Sequence, residues 1–145
     1  MSDTDHFSRQ AAHYRASRPD YPPELPAFLA EVAPARETAL DCATGNGQAA
    51  LGLAAWFAAV VATDLSPAQL ALGRRHARVR YVAAAAERLP IADRSVDLVA
   101  IAQALHWLDL PAFYREVRRV TRPGAVVAAW SYGLMQVDPA VDAVV

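Results

Sequence analysis

The chain has 145 residues, of which 54% are hydrophobic and 20% are charged. This composition can bury one core, and the length is too short for two ordinary domains, so we expect a single domain over 1–145. The formal net charge is -1, which gives no sign of a nucleic-acid or anionic-membrane surface. A small-molecule partner is the expectation that remains.

The cysteine content and the hydropathy of the chain indicate the cellular compartment of the protein. The single cysteine, Cys42, cannot form an internal disulfide, and the first residues, MSDTDHFSRQ, lack the basic and apolar regions of a signal peptide. The uncharged stretch between Asp41 and Asp64 has an apolar run shorter than the roughly 20 residues of a spanning helix. These features predict a cytoplasmic protein without a membrane segment.

Strand and helix patterns alternate along the chain after an N-terminal helical segment, 1–35. The predicted helices are ELPAFLAEVA (24–33), GQAALGLAAWFA (47–58), AQLALGRRHA (68–77) and LPAFYREVRRV (110–120). The predicted strands are TALDCA (38–43), VVATDL (60–65), VRYVAA (79–84), VDLVAIAQ (96–103) and AVVAAW (125–130). The intervening RPG sequence is expected to be a turn that ends the last helix.

Local signals support this alternation. Ser66 and Pro67 provide an N-cap and a first-turn proline, Asp109 can cap the last helix, and Phe113 and Val117 begin an apolar stripe on it. The connections between strands are too long for hairpins. The chain is therefore predicted to be a doubly wound α/β domain, with a mostly parallel Rossmann-like sheet over 36–133 and helices on both faces.

Ligands bind such sheets outside the carboxyl ends of the strands, so the residues there are the candidates for a site. Gly45 and Gly47 follow the first strand and would let the backbone turn tightly and approach a ligand. Asp64 ends the second strand, at an interval from Gly47 that brings a carboxylate to ribose hydroxyls. A plain turn and a helix-capping aspartate are the alternatives.

Two cofactor classes fit the glycine turn. GNGQAA (45–50) satisfies the G-x-G-x-x-G/A fingerprint, which supports an NAD(P)-dependent oxidoreductase as an alternative. Asp41, Ala43, Gly45 and Gly47 also fall on the pattern D-x-G-x-G-x-G, with alanine at the first glycine. This second pattern resembles motif I of the S-adenosylmethionine-dependent methyltransferases with a Rossmann-like fold.

Other stretches extend the resemblance over nearly all of 7–133. VVATDLSPAQLALGRRHA is similar to that family's second strand and following helix, and AAERLPIADRSVDLVAIAQALHW to its adenine-side loop and fourth strand. FYREVRRVTRPGAVVAAW resembles its last helix and fifth strand. The N-terminal FSRQAAHYRASRPDYPPEL is similar to the small-molecule branch that includes trans-aconitate and ubiquinone-biosynthesis-type methyltransferases.

The resemblance implies S-adenosylmethionine as the cofactor, with its methionyl part surrounded by the backbone from Ala43 through Gly45 to Gly47. Asp41 would orient the ammonium group, and Gln103 would line the floor near the sulfonium. Ala43 stands in place of the pattern's first glycine, and a methyl group is tolerated there wherever the local φ stays negative.

The same resemblance implies the nucleoside contacts. Asp64 would hold the ribose, and Leu65 would pack on the adenine. Ala86 would offer its backbone amide to the adenine ring, beside Glu87. Many family members carry an acid at the position of Ala85, so here the contact with the adenine amino group is either absent or made by Glu87.

The acceptor side is less defined by the sequence. His106 is the candidate catalytic base if the acceptor is a hydroxyl or an acidic carbon, with a structural histidine as the alternative. Trp107 would contact the sulfonium or the acceptor, or pack in the core. Tyr14, Arg18 and Tyr21 are the predicted substrate and lid residues of the N-terminal segment. No metal site is expected.

The resemblance also implies that the family continues after strand five with a helix and an antiparallel strand pair. We therefore expect 134–145 to begin a truncated C-terminal part, which leaves strand five as an exposed edge for homo-oligomer contact. The favoured function is methyl transfer to a small-molecule acceptor. The alternatives are the NAD(P)-dependent oxidoreductase and a non-catalytic cofactor-binding or assembly subunit.

Overall fold

The computed structural model describes residues 20–131. The helices are α1 (Glu24–Val32), α2 (Gln48–Leu53), α3 (Pro67–Ala71) and α4 (Leu110–Val120), with a 3-10 helix at Leu105–Trp107. The strands are β1 (Thr38–Cys42), β2 (Ala59–Asp64), β3 (Val79–Ala83), β4 (Val96–Ala102) and β5 (Thr121–Trp130). Every predicted strand and helix is present in the predicted order.

The five strands form one sheet in the order β3-β2-β1-β4-β5, and each neighbouring pair is parallel. The chain runs outward from β1 to β3 and then returns to place β4 on the other side of β1. The connections that leave β1 and β4 therefore diverge and open a crevice at their carboxyl ends. The doubly wound Rossmann-like prediction is confirmed.

Apolar layers cover both faces of the sheet. Leu53 and Phe57 belong to the layer under α1 and α2. Phe113, Val117 and Val120 of α4 belong to the layer on the opposite face, which confirms the predicted stripe. Every residue of β4 except the last is buried, because a central parallel strand is covered on both sides.

Two helices are shorter than predicted. α2 ends at Leu53 because the chain tightens into a 3-10-like turn, in which the Trp56 N–H donates to the Leu53 carbonyl at 2.9 Å. α3 ends at Ala71, two residues before Gly73, where a Cβ would lie 2.7 Å from the Tyr81 ring. Within 20–131, no helix has the length and apolar character needed to cross a membrane.

The RPG sequence forms a bulge instead of a free turn. β5 begins at Thr121, directly after α4, and its register against β4 shifts between Val96 and Leu98. Gly124 has a φ of +81°, which lets the extra residues loop out of the ladder. The prediction of a strand limited to 125–130 was therefore wrong at its start.

A buried carboxylate holds this end of the sheet together. Asp97 is 0% exposed, and its Oδ2 accepts the Glu37 and Thr38 N–H groups at 3.0 Å each. Its Oδ1 accepts from Arg122 Nη1 at 2.9 Å. Asp97 thereby links β1, β4 and the bulged start of β5, at the edge opposite to the crevice.

Candidate functional site

The glycine loop, residues 43–47, follows β1 at the point where the strand order reverses. Ala43, Gly45 and Gly47 have φ values of +53°, +60° and +85°. The Thr44 N–H donates to the Thr63 carbonyl at 2.8 Å, which ties the loop to the end of β2. The loop is thus a tight left-handed turn that leads directly into α2.

Ala43 adopts a left-handed backbone conformation. Its φ of +53° does not meet the condition of a negative φ under which alanine would replace glycine without strain. The left-handed region costs a residue with a Cβ roughly 1–2 kcal/mol. The loop therefore holds backbone strain at the position where the family pattern has its first glycine.

The two glycines leave space for different neighbours. A Cβ built on Gly45 would have Gln69 Oε1 as its nearest atom, at 3.9 Å, so the space beside Gly45 is open to a ligand. A Cβ on Gly47 would lie 2.6 Å from Tyr81 Cε1. Gly47 therefore makes room for a tyrosine of β3, a contact that sequence spacing does not reveal.

Asp41 is the buried acid of the site. Its side chain is 0% exposed, and its Oδ2 accepts from Thr44 Oγ1 at 2.6 Å. Its Oδ1 is buried and has no hydrogen-bond partner among the described residues. Burial raises the pKa of Asp41 to about 7, against the lowering effect of the hydrogen bond from Thr44. A cationic donor at Oδ1 would satisfy this oxygen and favour the ionised form.

Asp64 connects the glycine loop to the next helix. Its Oδ2 accepts the Gly45 N–H and its Oδ1 accepts the Ser66 N–H, each at 2.8 Å. Each carboxylate oxygen keeps a further lone pair that can accept from a ligand hydroxyl. The adjacent Leu65 is 65% exposed and presents an apolar side chain at this strand end.

The β3–β4 loop, residues 84–95, forms another side of the crevice. The Ala84 N–H donates to the Asp64 carbonyl at 3.0 Å, and Ala86 is 6% exposed. Glu87 Oε1 accepts the Asp109 N–H at 3.0 Å, at the N-cap of α4. The Glu87 side chain is thus already bound to α4. It is therefore less available to replace the acid that many family members carry at the position of Ala85 for the contact with the adenine amino group.

Gln103 lies at the end of β4 in a strained conformation. Its φ is +60°, and its N–H donates to the Trp130 carbonyl at 2.8 Å. Its Nε2 is buried and has no hydrogen-bond partner within 20–131. Strained backbone with an unpartnered polar atom is typical of functional positions.

The predicted acceptor residues lie beyond β4 and near the end of β5. His106 and Trp107 belong to the 3-10 helix, with ring centroids 4.8 Å apart, and Trp107 is 67% exposed. Tyr21 contacts Trp130 edge-on, at 5.6 Å between centroids, which brings it close to the end of β4. Tyr14 and Arg18 lie outside the described residues.

A separate groove of about 500 Å³ runs between α1 and α2 and includes Tyr21, Asn46, Trp56 and Trp130 in its walls. It adjoins the glycine loop but does not include Asp64 or Leu65, so we take the strand ends as the site on chemical grounds. In the described part of the chain, no group of three or more His, Cys, Asp or Glu side chains could hold a metal ion.

Comparison with known proteins gives consistent matches. The sequence profile of the methyltransferase domain family matches residues 40–129. A Dictyostelium discoideum protein named as a methyltransferase is 36% identical over 140 residues, which cover 96% of this chain and 53% of that protein. The malonyl-[acyl-carrier protein] O-methyltransferase of Dechloromonas aromatica (strain RCB) is 40% identical over 105 residues, covering 72% of this chain and 39% of that enzyme.

A solved structure agrees with these matches. A protein of Anaeromyxobacter dehalogenans whose structure is described as that of a type II methyltransferase has a TM-score of 0.80 and 55% identity, and the match covers 88% of this chain and 54% of that one. The chain thus spans about half the length of this structure and of the Dictyostelium relative. Since the family profile covers more than half of the chain, the chain belongs to the family of S-adenosylmethionine-dependent methyltransferases with a Rossmann-like fold.

Proposed function

We propose that this chain takes part in S-adenosylmethionine-dependent methyl transfer to a small-molecule acceptor. The observation that carries the proposal is Asp41, a buried acid just before the left-handed glycine loop, whose Oδ1 has no hydrogen-bond partner among residues 20–131. An ammonium group is the ligand chemistry that such an oxygen accepts best. Family membership supplies the reaction class.

The residues at the strand ends suit the methionyl, ribose and adenine parts of the cofactor. Asp41 Oδ1 would accept from the ammonium, the open space at Gly45 would admit the methionyl part, and Asp64 would accept from the ribose hydroxyls. Leu65 would cover the adenine. When bound, S-adenosylmethionine supplies an activated methyl group, and the task left to the chain is to align the acceptor with it.

The acceptor side follows from the residues after β4. Gln103 would form the floor beside the methyl group, and Trp107 would form a wall of the acceptor space. His106 would take a proton from a hydroxyl or acidic-carbon acceptor, whereas a carboxylate acceptor needs no base. Tyr14 and Arg18 would complete this side together with Tyr21.

A methyl-transfer assay tests the proposal. The purified chain is incubated with S-adenosylmethionine and a panel of small carboxylic acids and phenols, and S-adenosylhomocysteine is measured by mass spectrometry. Turnover of any acceptor supports methyl transfer, and loss of turnover in Asp41→Ala with an unchanged circular dichroism spectrum supports the site. Cofactor binding without turnover of any acceptor would favour a non-catalytic binding subunit.

We also propose a cytoplasmic location without nucleic-acid or membrane partners. The supporting observations are the net charge of -1 and the single cysteine. Burial raises the pKa of Cys42 to about 12, which keeps this thiol protonated and unreactive in the folded protein. Subcellular fractionation of the tagged chain tests the location, and recovery with membranes would contradict it.

A further inference from the structure

We propose that Arg119, together with Glu116, is a positioning residue that fixes the β3–β4 loop against α4 and so sets where the loop meets the adenine. This inference rests on the proposed cofactor binding. It concerns a guanidinium group on the last turn of α4 that donates no hydrogen bond to the glycine loop, Asp64 or Leu65. Its influence on the ligand would therefore be indirect.

Arg119 holds the loop backbone at two points. Its Nη2 donates to the Leu89 carbonyl at 3.0 Å, and its Nη1 donates to the Ile91 carbonyl at 2.8 Å. The same Nη1 contacts Asp93 Oδ1 at 2.7 Å. A planar guanidinium can make these bonds together because its donors are arranged in a rigid fork.

Glu116 completes the arrangement from the same helix. Its Oε1 accepts the Leu89 N–H at 2.8 Å, and its Oε2 accepts from Arg119 Nε at 3.0 Å. Leu89 therefore has both its N–H and its carbonyl bound by side chains of α4. Arg119 holds Glu116 in the orientation that this requires, so the two residues act as one unit.

The rest of the loop is also bound along α4. Glu87 accepts the Asp109 N–H at the beginning of the helix, and the Arg94 N–H donates to the Arg119 carbonyl at 2.9 Å. Within the loop, the only ladder contact recorded among the described residues is an isolated bridge between Ala85 and Arg88. α4 therefore holds the loop from Glu87 onward, whereas the loop start is tied to β2 by the Ala84 N–H, and Ala86 lies between these two attachments.

The consequence concerns the Ala86 amide, which in the proposed cofactor binding would donate to the adenine and which lies three residues before Leu89 in the chain. A hydrogen bond to the edge of a purine ring loses most of its strength when its donor moves by a fraction of an ångström or tilts. Loss of the Arg119 contacts would release the Leu89 and Ile91 carbonyls and let the loop, with Ala86, shift. Recognition of the adenine would weaken, whereas the Asp41 and Asp64 contacts would remain.

The test compares matched variants of the purified chain. Arg119→Met removes the guanidinium and keeps an unbranched stem, and Arg118→Met makes the same charge change at an exposed position on the same helix. Arg119→Lys keeps the charge but not the fork. Titration calorimetry measures the affinity of each for S-adenosylhomocysteine and for S-inosylhomocysteine, whose base has a different hydrogen-bonding edge.

We expect Arg119→Met to bind S-adenosylhomocysteine about tenfold more weakly, Arg119→Lys to fall between it and the wild type, and Arg118→Met to bind normally. The preference for the adenosyl over the inosyl ligand should shrink in Arg119→Met, because only the adenine contact is disturbed. A merely structural role would lower both affinities equally and leave this preference unchanged.

Two results would overturn the inference while the proposed function stands. One is wild-type affinity in both Arg119 variants, and the other is an equal loss for both ligands. If Arg119→Met does not fold, the same comparison is made with Arg119→Lys, through its ratio of affinities for the adenosyl and inosyl ligands. A wild-type chain that binds neither ligand would instead contradict the proposed function, which separates the two failures.

Discussion

Asp41 couples the protonation of one buried carboxyl group to the stability of the whole fold. Its pKa is raised from 3.8 to about 7 by burial, so between these pH values the folded chain holds a proton that the unfolded chain has released. The protonated Asp41 carboxyl group therefore makes its full contribution to the free energy of unfolding below pH 3.8, and this contribution is lost as the pH rises toward 7.

The prediction is that the ligand-free chain is less stable at a pH above 7 than at about pH 5, and that Asp41→Asn removes much of this dependence. Urea unfolding at a series of pH values measures the effect. Asn is the suitable replacement because it keeps the shape and cannot ionise. An unchanged pH dependence in Asp41→Asn would show that another group is responsible.

Ala43 offers a second test at the level of one residue. Because its φ is +53°, Ala43→Gly should relieve strain and raise the free energy of unfolding by about 1 kcal/mol, net of the greater chain entropy of glycine. Ala77 is exposed and has no positive φ, so Ala77→Gly serves as the control and should not stabilise. A destabilised Ala43→Gly would contradict the account of the glycine loop.

At the level of elements, Tyr81 of β3 packs against two glycines, one at the start of α2 and one just after α3. Its ring lies where the Cβ atoms of Gly47 and Gly73 would be, and its hydroxyl donates to the Arg74 carbonyl at 3.0 Å. One aromatic side chain thus sets both the start of α2 and the chain reversal after α3.

A double-mutant cycle measures this packing. Gly47→Ala should cost about 3 kcal/mol in the wild type, from the left-handed backbone and the overlap with Tyr81. In a Tyr81→Ala background only the backbone penalty of about 1 kcal/mol should remain. Denaturant unfolding of the four proteins gives the coupling, and additive costs would exclude a direct contact.

The elements differ in how far the sequence predicts them. α4 has its predicted bounds because its signals are local: an Asp109 cap, whose Oδ1 accepts the Ala112 N–H at 3.2 Å, and an apolar stripe. α2 and α3 are shorter than predicted because the chain turns away early: a 3-10-like turn follows Leu53, and the Tyr81 ring packs against Gly73 just after α3. The β5 bulge was missed because it depends on Asp97, which is distant in sequence from Arg122.

The candidate site likewise contains residues that the sequence predicts and contacts that it does not. Asp41, Gly45, Gly47 and Asp64 could be proposed from spacing, because each lies at a strand end or in the turn that follows. Thr44 could have been suspected as a polar residue within the turn. The contacts of Arg119 could not, since they join residues 26 to 30 positions apart.

At the scale of the whole molecule, β3 and β5 are the outer strands of the sheet that residues 20–131 form. β5 carries Val127, which is 42% exposed, and an apolar edge strand is a site for pairing with another chain. We predict concentration-dependent self-association of this chain in sedimentation velocity, reduced by Val127→Lys. A monomer at every concentration, with or without the substitution, would contradict pairing through this edge.

We infer that the carboxyl ends of the strands form a site for S-adenosylmethionine. The most direct test is calorimetric titration of the purified chain with S-adenosylmethionine and S-adenosylhomocysteine, with NAD and NADP as comparators. We expect micromolar binding of the first pair alone, weakened in Asp64→Ala, which would remove the proposed acceptor of the ribose hydroxyls. Binding of NAD or NADP in place of the first pair, or of none of the four, would contradict it.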